Sequence, residues 1–361
     1  MNIGHYALVV GIGRYPGHSD LAAPVNDAHA FRAWLLDHEG GGLPEGNVRL
    51  VTTPDDLAPA VSSRDATPVK EQIDNALLEL EEQVTAAVEG DPSRWSVSRL
   101  YLYVAGHGIM PDRSDTTALL MANSDQRRGI WHNIDIGLYL SWYARSAPYS
   151  EIVAFADCCR SWRGSAEGMP PPFTRVGRPR EIVRQMACYA SAPDQVAYEE
   201  TDALIPLRQR HGYFTKALLA ALREAPADEV LGGITSVTIG PYLKTSVRAA
   251  TEGRRTTQTV QVITDSASPI LLASNRTDPL LHRVKLRFPP GYRGKVDLVQ
   301  NEGSAQTWDV TCDRATPLRL AAGLYSVFES GTYKGTPFRD DGKFAVLGQA
   351  AQGDDGIVIQ L

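Results

Sequence analysis

Two short stretches combine residue types that can do nucleophilic chemistry. Leu100-Tyr-Leu-Tyr-Val-Ala-Gly-His-Gly108 ends an apolar run with His107 between two glycines. Ile152-Val-Ala-Phe-Ala-Asp-Cys-Cys-Arg160 ends another with two thiols behind Asp157. A thiol attacks as its thiolate, so it needs a base or a cationic neighbour to take its proton. His107 is a candidate for that base, able to return the proton to a leaving amine. Gly106 and Gly108 let the backbone turn sharply and approach a substrate. The backbone N–H groups of Gly108 and Cys159 are candidates for holding a developing oxyanion. Side chains two apart on an extended strand share a face. Asp157 and Cys159 therefore point one way and Cys158 the other, and Cys159 is the first residue free of the strand. Cys159 is the preferred nucleophile and Cys158 the alternative. Taken singly, the histidine reads as a structural or surface residue and the cysteine as core packing. Their joint appearance at two strand ends, with glycines and an acid, points to chemistry.

These residues need a frame that brings two strand ends together. Tyr6-Ala-Leu-Val-Val-Gly-Ile12, stopped by Gly13, reads as a buried strand. Pro24 to His38 carries Ala28, Phe31 and Leu35 at helical spacing. Asn47 to Val51 is a short strand, and Pro68 to Val88 is a long amphipathic helix with Val69, Ile73, Leu77, Leu80 and Val84 on one stripe. The His107 strand, a helix over Asp135 to Tyr143 and the Cys159 strand follow. Strands are then expected at Val183 to Ala190 and Thr259 to Ile263, with helices at Gly212 to Arg223 and Ser236 to Ala249. This alternation predicts an α/β domain over 1–274, a doubly wound, mostly parallel sheet with helices on both faces. Such sheets bind ligands outside the carboxyl ends of their strands, where His107 and Cys159 both lie. From 275 to 361 only short strands between Gly, Pro and Asp turns occur, predicting a small all-β sandwich.

Bulk properties narrow the class. The 361 residues are 43% apolar and 22% charged, as in a soluble globular chain. A net charge of −6 gives no reason to expect nucleic acid as a partner. No apolar run is long enough for a membrane span, and the first ten residues lack a secretory signal. Four cysteines in so long a chain do not form a disulfide framework. They read as reduced thiols, which suggests a cytoplasmic setting. No CxxC pair or histidine cluster suggests a metal, and no cofactor is expected.

In their order and spacing these residues resemble the caspase-like cysteine peptidases, metacaspases included. His107 and Cys159 are 52 residues apart, against about 50 in caspases. Ala105-Gly-His-Gly108 is similar to the family's Ser-Gly-His-Gly, and Asp157-Cys-Cys-Arg-Ser161 to the metacaspase-type Asp-Ser-Cys-His-Ser. Val25-Asn-Asp-Ala-His29, Ala190-Ser-Ala-Pro-Asp-Gln-Val-Ala-Tyr-Glu199 and Gly212-Tyr-Phe-Thr-Lys-Ala-Leu218 add to the match, which covers about residues 3–265. The resemblance implies a caspase-like fold and a cysteine endopeptidase with Cys159 as nucleophile, His107 as its partner, and a protein or peptide substrate. Metacaspases carry acids at the positions of Asp157 and Asp27 and cleave after Arg or Lys. Two carboxylates in one pocket repel unless a cation sits between them. A basic P1 residue is therefore expected, held by Asp27 and Asp157, with Asp194 as a third candidate. Asp27 could instead cap the helix that follows it.

Ala105 departs from the family's serine, which bears on the shape of this S1 pocket. Trp162 departs from its glycine, which bears on the cleft. Arg175, Arg178 and Arg180, in a Gly/Pro-rich stretch after the nucleophile, are candidates for self-cleavage. Calcium dependence, known in some metacaspases, is left open, since no EF-hand pattern occurs. Bacterial relatives of this kind often act as effectors of cell death or defence. The β region is expected to regulate the peptidase or bind a partner protein. The competing reading is a catalytically silent scaffold on the same fold.

Overall fold

A computed structural model of the chain describes residues 2–54, 62–111, 116–162, 166–173, 182–202, 204–228, 230–254, 256–265, 267–274 and seven strands between 282 and 360. The chain falls into two compact units, 1–219 with 235–273 and 220–234 with 274–361. The arginines at 175, 178 and 180 lie outside the described residues.

In chain order the elements are β1 (His5–Gly11), α1 (Ala23–Leu36), β2 (Val48–Thr52), α2 (Lys70–Gly90), β3 (Arg99–Gly106), β4 (Gly108–Met110), β5 (Ala118–Leu120) and β6 (Asn133–Asp135). Then come α3 (Ile136–Ser146), β7 (Glu151–Cys158), β8 (Ser161–Trp162), β9 (Arg184–Tyr189), α4 (Tyr213–Glu224), β10 (Gly233–Thr235), α5 (Ile239–Ala250), β11 (Gln261–Thr264) and β12 (Leu271–Ser274). The main sheet has the order β11-β9-β7-β3-β1-β2. All its pairings are parallel except β11 against β9. The order reverses direction at β1, which has β2 on one side and β3 on the other. That reversal opens a crevice at the carboxyl ends of β1 and β3.

The strands read as apolar runs because both faces are covered. Leu8 and Val10, Leu100, Leu102 and Val104, and Ile152, Ala154 and Ala156 pack with Ile73, Leu77, Leu80 and Val84 of α2 and with Tyr139 and Tyr143 of α3. The alternate positions face α1, where Phe31 stacks on Tyr103 at 4.5 Å between ring centroids and meets Phe155 at 5.7 Å. Asp157 continues the Val153–Phe155 face. Cys158 belongs to the other face and is packed in its core.

The helix starts are set by side chains. Gln72 accepts the Val69 N–H at 2.9 Å, so α2 begins at Lys70, two residues after Pro68. Asp135 caps α3, its Oδ1 accepting the Leu138 N–H at 3.2 Å.

A second, four-stranded sheet, β6-β5-β4-β8, sits past the carboxyl ends of β3 and β7. Its strands are two or three residues long, too short to leave a periodic signal. β4 and β8 extend β3 and β7 and pair in parallel, Ile109 with Ser161 and Met110 with Trp162.

Beyond residue 281 the other unit holds β13 (His282–Arg287), β14 (Arg293–Gln300), β15 (Ala305–Thr311), β16 (Thr316–Leu320), β17 (Gly323–Glu329), β18 (Lys343–Val346) and β19 (Ile357–Gln360). They form two sheets, β16-β13-β19 and β15-β14-β17-β18. Pairing is antiparallel apart from β13 with β19. Val284 and Leu286 of β13 are buried at alternate positions, whereas Val296 to Val299 of β14 are buried on both faces.

Candidate active site

The ladder between β3 and β7 ends with Gly106 opposite Cys158, and pairing resumes between Ile109 and Ser161. His107–Gly108 and Cys159–Arg160 fill the interval on the two neighbouring chains. The approach is close. A Cβ on Gly108 would collide with the Cys158 Cβ and the Cys159 carbonyl oxygen, and would stand 3.3 Å from the Cys159 nitrogen. Only glycine lets the segment that carries the imidazole lie against the one that carries the thiol. Gly106 has the same constraint from the other side, since a Cβ there would stand 2.5 Å from the Tyr15 hydroxyl.

That hydroxyl accepts the His107 backbone N–H at 3.0 Å and donates to the Leu120 carbonyl at 3.3 Å. The Tyr15 ring lies 4.8 Å from the imidazole, and His18 lies 5.6 Å away on another flank. His107 Nε2 is 2.7 Å from the Ser19 carbonyl oxygen. A carbonyl can only accept, so Nε2 carries the proton, and in the neutral ring Nδ1 keeps its lone pair. Burial holds the imidazole below its ordinary range, opposed by the Ser19 carbonyl and the charges of Glu199 and Asp20. A neutral His107 with a fixed tautomer has the form of a general base.

Cys159 is partly exposed, whereas Cys158 is 1% exposed. Cys159 Sγ receives the Ala197 N–H at 3.4 Å and lies 3.7 Å from the Ala197 carbonyl. Burial pushes this thiol up. The Ala197 backbone opposes that, and the charge of Asp157 adds to it. Burial raises Cys158 well above the usual thiol range. Cys159 is the more accessible thiol.

The acids converge on one glycine. A Cβ on Gly212 would collide with Asp157 Oδ2 and stand 3.1 Å from Asp27 Oδ2. Asp27, 1% exposed, accepts the Gly212 N–H on Oδ2 at 2.9 Å and meets His211 Nδ1 through Oδ1 at 2.7 Å. Asp157 Oδ2 accepts both the Thr215 N–H, at 3.2 Å, and its hydroxyl, at 2.7 Å. Tyr103, 2.6 Å from the Thr215 hydroxyl, is left to donate to it. Among the described residues Asp157 Oδ1 has no hydrogen-bond partner. Burial, then the charge of Asp27, pushes Asp157 up to about 7. Burial raises Asp27 too, with His211 and Gly212 opposing. Ala105 is the cross-strand neighbour of Asp157. It offers no hydroxyl, and Thr215 supplies one from the helix side.

The chain matches the caspase domain of peptidase family C14 over residues 4–259. It belongs to that family. It is 27% identical over 225 residues to a protein named as a probable protease from a Desulfuromonadales bacterium, a match over 61% of this chain and 26% of that protein. The chain thus spans about a quarter of the length of that relative. Among solved structures, caspase-1 from Spodoptera frugiperda aligns over 75% of this chain and 92% of its own, with a TM-score of 0.46 and 11% identity. A Geobacter sulfurreducens protein aligns over 75% and 97%, with a TM-score of 0.41 and 14% identity.

Within this caspase-type domain, the His107–Gly108 segment after β3 lies against the Cys159 segment after β7, and Asp27 and Asp157 both approach Gly212. Asp194 has different neighbours. It is exposed, takes a left-handed φ of 58°, and is 3.4 Å from the Trp162 N–H. Trp162 itself is 53% exposed. Asp27 does not cap α1. It lies in the second turn, on the buried stripe, while Glu199 accepts the Ala22 and Ala23 N–H groups at the helix start.

Sequence reasoning missed Tyr15, Ser19, Tyr103, Glu199, His211 and Thr215. Two of these stand in stretches already matched to the family, Glu199 after Ala-Tyr and Thr215 after Gly-Tyr-Phe, and His211 immediately precedes the second stretch. Among the described residues no group of three or more His, Cys, Asp or Glu side chains is placed to hold a metal ion. No helix among them is long and apolar enough to cross a membrane.

Proposed function

We propose that the protein is a cysteine endopeptidase that cleaves after Arg or Lys. The observation that carries this reading is the pair of buried carboxylates at Gly212, one of which, Asp157, precedes the nucleophile by two residues and has no partner on Oδ1 among the described residues. Two buried acids with an open acceptor favour a guanidinium or ammonium ligand. With its side chain held there, the substrate presents the following carbonyl to Cys159.

Cys159 Sγ attacks that carbonyl carbon while His107 Nδ1 takes the thiol proton. The carbonyl oxygen becomes an oxyanion facing the N–H groups of Gly108 and Cys159. On collapse the C–N bond breaks, and the imidazolium gives its proton to the departing amine. The Cys159 thioester is then hydrolysed by water, with His107 again accepting the proton. The Ser19 carbonyl keeps the ring oriented and stabilises the imidazolium as it forms. The Ala197 N–H favours the sulfur as it gains charge. The β-sheet unit is an accessory region in this reading.

The test is a panel of fluorogenic peptides with Arg, Lys or Asp at P1, assayed on wild type and Cys159→Ala with and without calcium. Cleavage after Arg or Lys that disappears in the variant is the expected result. Cleavage after Asp would overturn the pocket assignment, and cleavage that survives in Cys159→Ala would overturn the nucleophile.

A further inference from the structure

The acidic pocket already contains a group that can carry positive charge. His211 Nδ1 stands 2.7 Å from Asp27 Oδ1, and the next residue, Gly212, donates its N–H to Asp27 Oδ2. One dipeptide thus holds both oxygens of Asp27. The other cations near it are engaged. Lys216 of α4 pairs with Glu200 at 2.6 Å, and Arg210 turns to the carbonyls of Ile205 and Asp202. Three further acids bear on the pocket or its histidine. Glu200 accepts the His211 backbone N–H at 3.1 Å, Glu199 sits at the start of α1, and Asp157 comes from β7.

We infer that His211 is a specificity-determining residue whose imidazolium is the resident counter-ion of the acidic pocket, and that a substrate guanidinium binds in exchange for its proton. This rests on the Arg/Lys reading above.

Loss of the proton needs no rearrangement of the ring. A neutral imidazole protonated on Nδ1 keeps its hydrogen bond to Asp27 and changes only the charge. With the ring protonated, Asp27 is neutralised and Asp157 alone attracts a cation. With the ring neutral, Asp27 keeps an uncompensated charge, and the two carboxylates repel until a cation enters. The His211 side chain is 29% exposed, so the released proton has a path to water. One cation enters and one proton leaves, so cation affinity must rise with pH across the titration of His211. The Asp27–Asp157 pair also loses protons as a cation binds, so the contribution of His211 has to be isolated by substitution.

His211→Asn places an amide N–H where Nδ1–H stands and removes the titration. The experiment uses the full chain carrying Cys159→Ala, with N-acetyl-arginine amide as the probe. It follows the His211 ring by NMR and the probe Kd between pH 5.5 and 8. In the histidine protein, saturating probe is expected to lower the pH at which His211 titrates. Below the His211 pKa its Kd is expected to weaken by up to tenfold more per pH unit than in His211→Asn. In active enzyme the same difference appears in KM for Arg peptides and not in kcat. Equal slopes in the two proteins, or a His211 titration unmoved by saturating probe, would overturn the exchange while leaving the Arg/Lys reading intact. Failure of the probe to bind either protein at any pH would remove both.

Discussion

β3 and β7 carry charged side chains near both of their ends and treat them in opposite ways. At the amino ends Arg99 stands opposite Glu151 in the ladder. Its Nε donates to Glu151 Oε2 at 2.6 Å and its Nη1 to the Tyr101 hydroxyl at 2.7 Å, while Arg184 closes on the other carboxylate oxygen. At the carboxyl ends Asp157 and Asp27 lie together with a histidine as their nearest counter-charge. Burial does not separate the two ends, since Arg99, Glu151, Asp27 and Asp157 are each no more than 8% exposed. Partnership does. Two guanidinium groups saturate one carboxylate at the first end and hold the strands in register. At the second, one half-buried imidazole pairs with Asp27, and among the described residues Asp157 Oδ1 has no hydrogen-bond partner. A saturated buried cluster serves structure, and an undersaturated one in a crevice is a place for a ligand.

The largest expected effect belongs to the carboxyl end. Cys159→Ala should reduce peptide cleavage by about 10⁴-fold or more without lowering the thermal midpoint, since it shortens a partly exposed side chain. His107→Ala should cost a similar factor, and the double variant little more than either, because the two act as one unit. Loss of activity in Cys158→Ala with retention in Cys159→Ala would exchange the thiols. The amino end should respond in the opposite currency. Glu151→Gln leaves the buried Arg99 guanidinium, and the partly exposed Arg184, short of a charge and should destabilise the fold by about 3 kcal/mol. The fraction that remains folded should keep its kcat/KM. Urea titration and activity per folded molecule, measured together, would break the comparison if activity fell faster than the folded fraction.

Asp157→Asn sharpens the comparison because its two effects have opposite signs. It should lower kcat/KM on Arg peptides by about 10²-fold, as expected for removing one charge of a buried ion pair. It should also stabilise the protein at alkaline pH. The native carboxyl titrates at about 7 instead of 3.8. Its folded pKa is the higher one, so its stabilising contribution is present below 3.8 and is lost as pH rises through 7. Asparagine does not titrate. The variant's advantage in thermal unfolding should therefore be larger at pH 8 than at pH 5, by on the order of 2 kcal/mol. An advantage that shrinks as pH rises would contradict an undersaturated acid pair.

The letters of the chain make the strands of this site legible and leave much of its wiring hidden. The eight residues of β3 and of β7 are buried throughout, so their apolar runs could hardly be read otherwise. The pairing of Asp157 with the Cys159 side of the strand follows from a period of two. Asp27 falls among Ala28, Phe31 and Leu35, and a charge on an apolar stripe is itself a signal. Asp194 sits on a left-handed turn that aims it at the Trp162 N–H, a backbone geometry that its residue type does not announce. The Ser19 and Ala197 contributions are backbone groups, which no residue type announces. Glu199 reaches the start of α1 from 176 residues away, a distance that no local pattern spans. The short β4 and β8 strands exist because β3 and β7 bring their continuations side by side, so they follow from the tertiary fold.

The smallest predicted effect tests how tightly the base is held. Tyr15→Phe keeps the ring against His107 and deletes one oxygen, which leaves the His107 backbone N–H and the Leu120 carbonyl without that partner. The loss should cost about 1–2 kcal/mol of stability. With the backbone less firmly fixed, kcat should fall by up to about tenfold while KM for Arg peptides stays put, since the Tyr15 hydroxyl bonds to His107 and Leu120 and not to Asp27 or Asp157. The pH profile separates position from hydration. Burial holds the His107 imidazole below its usual 6.5, so the acid limb of kcat in the wild type should lie below that value. Deleting the hydroxyl opens room for water beside the ring. If water enters, desolvation weakens and the limb moves up toward 6.5 together with the fall in kcat. A lower kcat with an unmoved limb would assign Tyr15 to the placement of the backbone alone. An unchanged kcat would mean that the Ser19 carbonyl and Gly108 hold the imidazole without it.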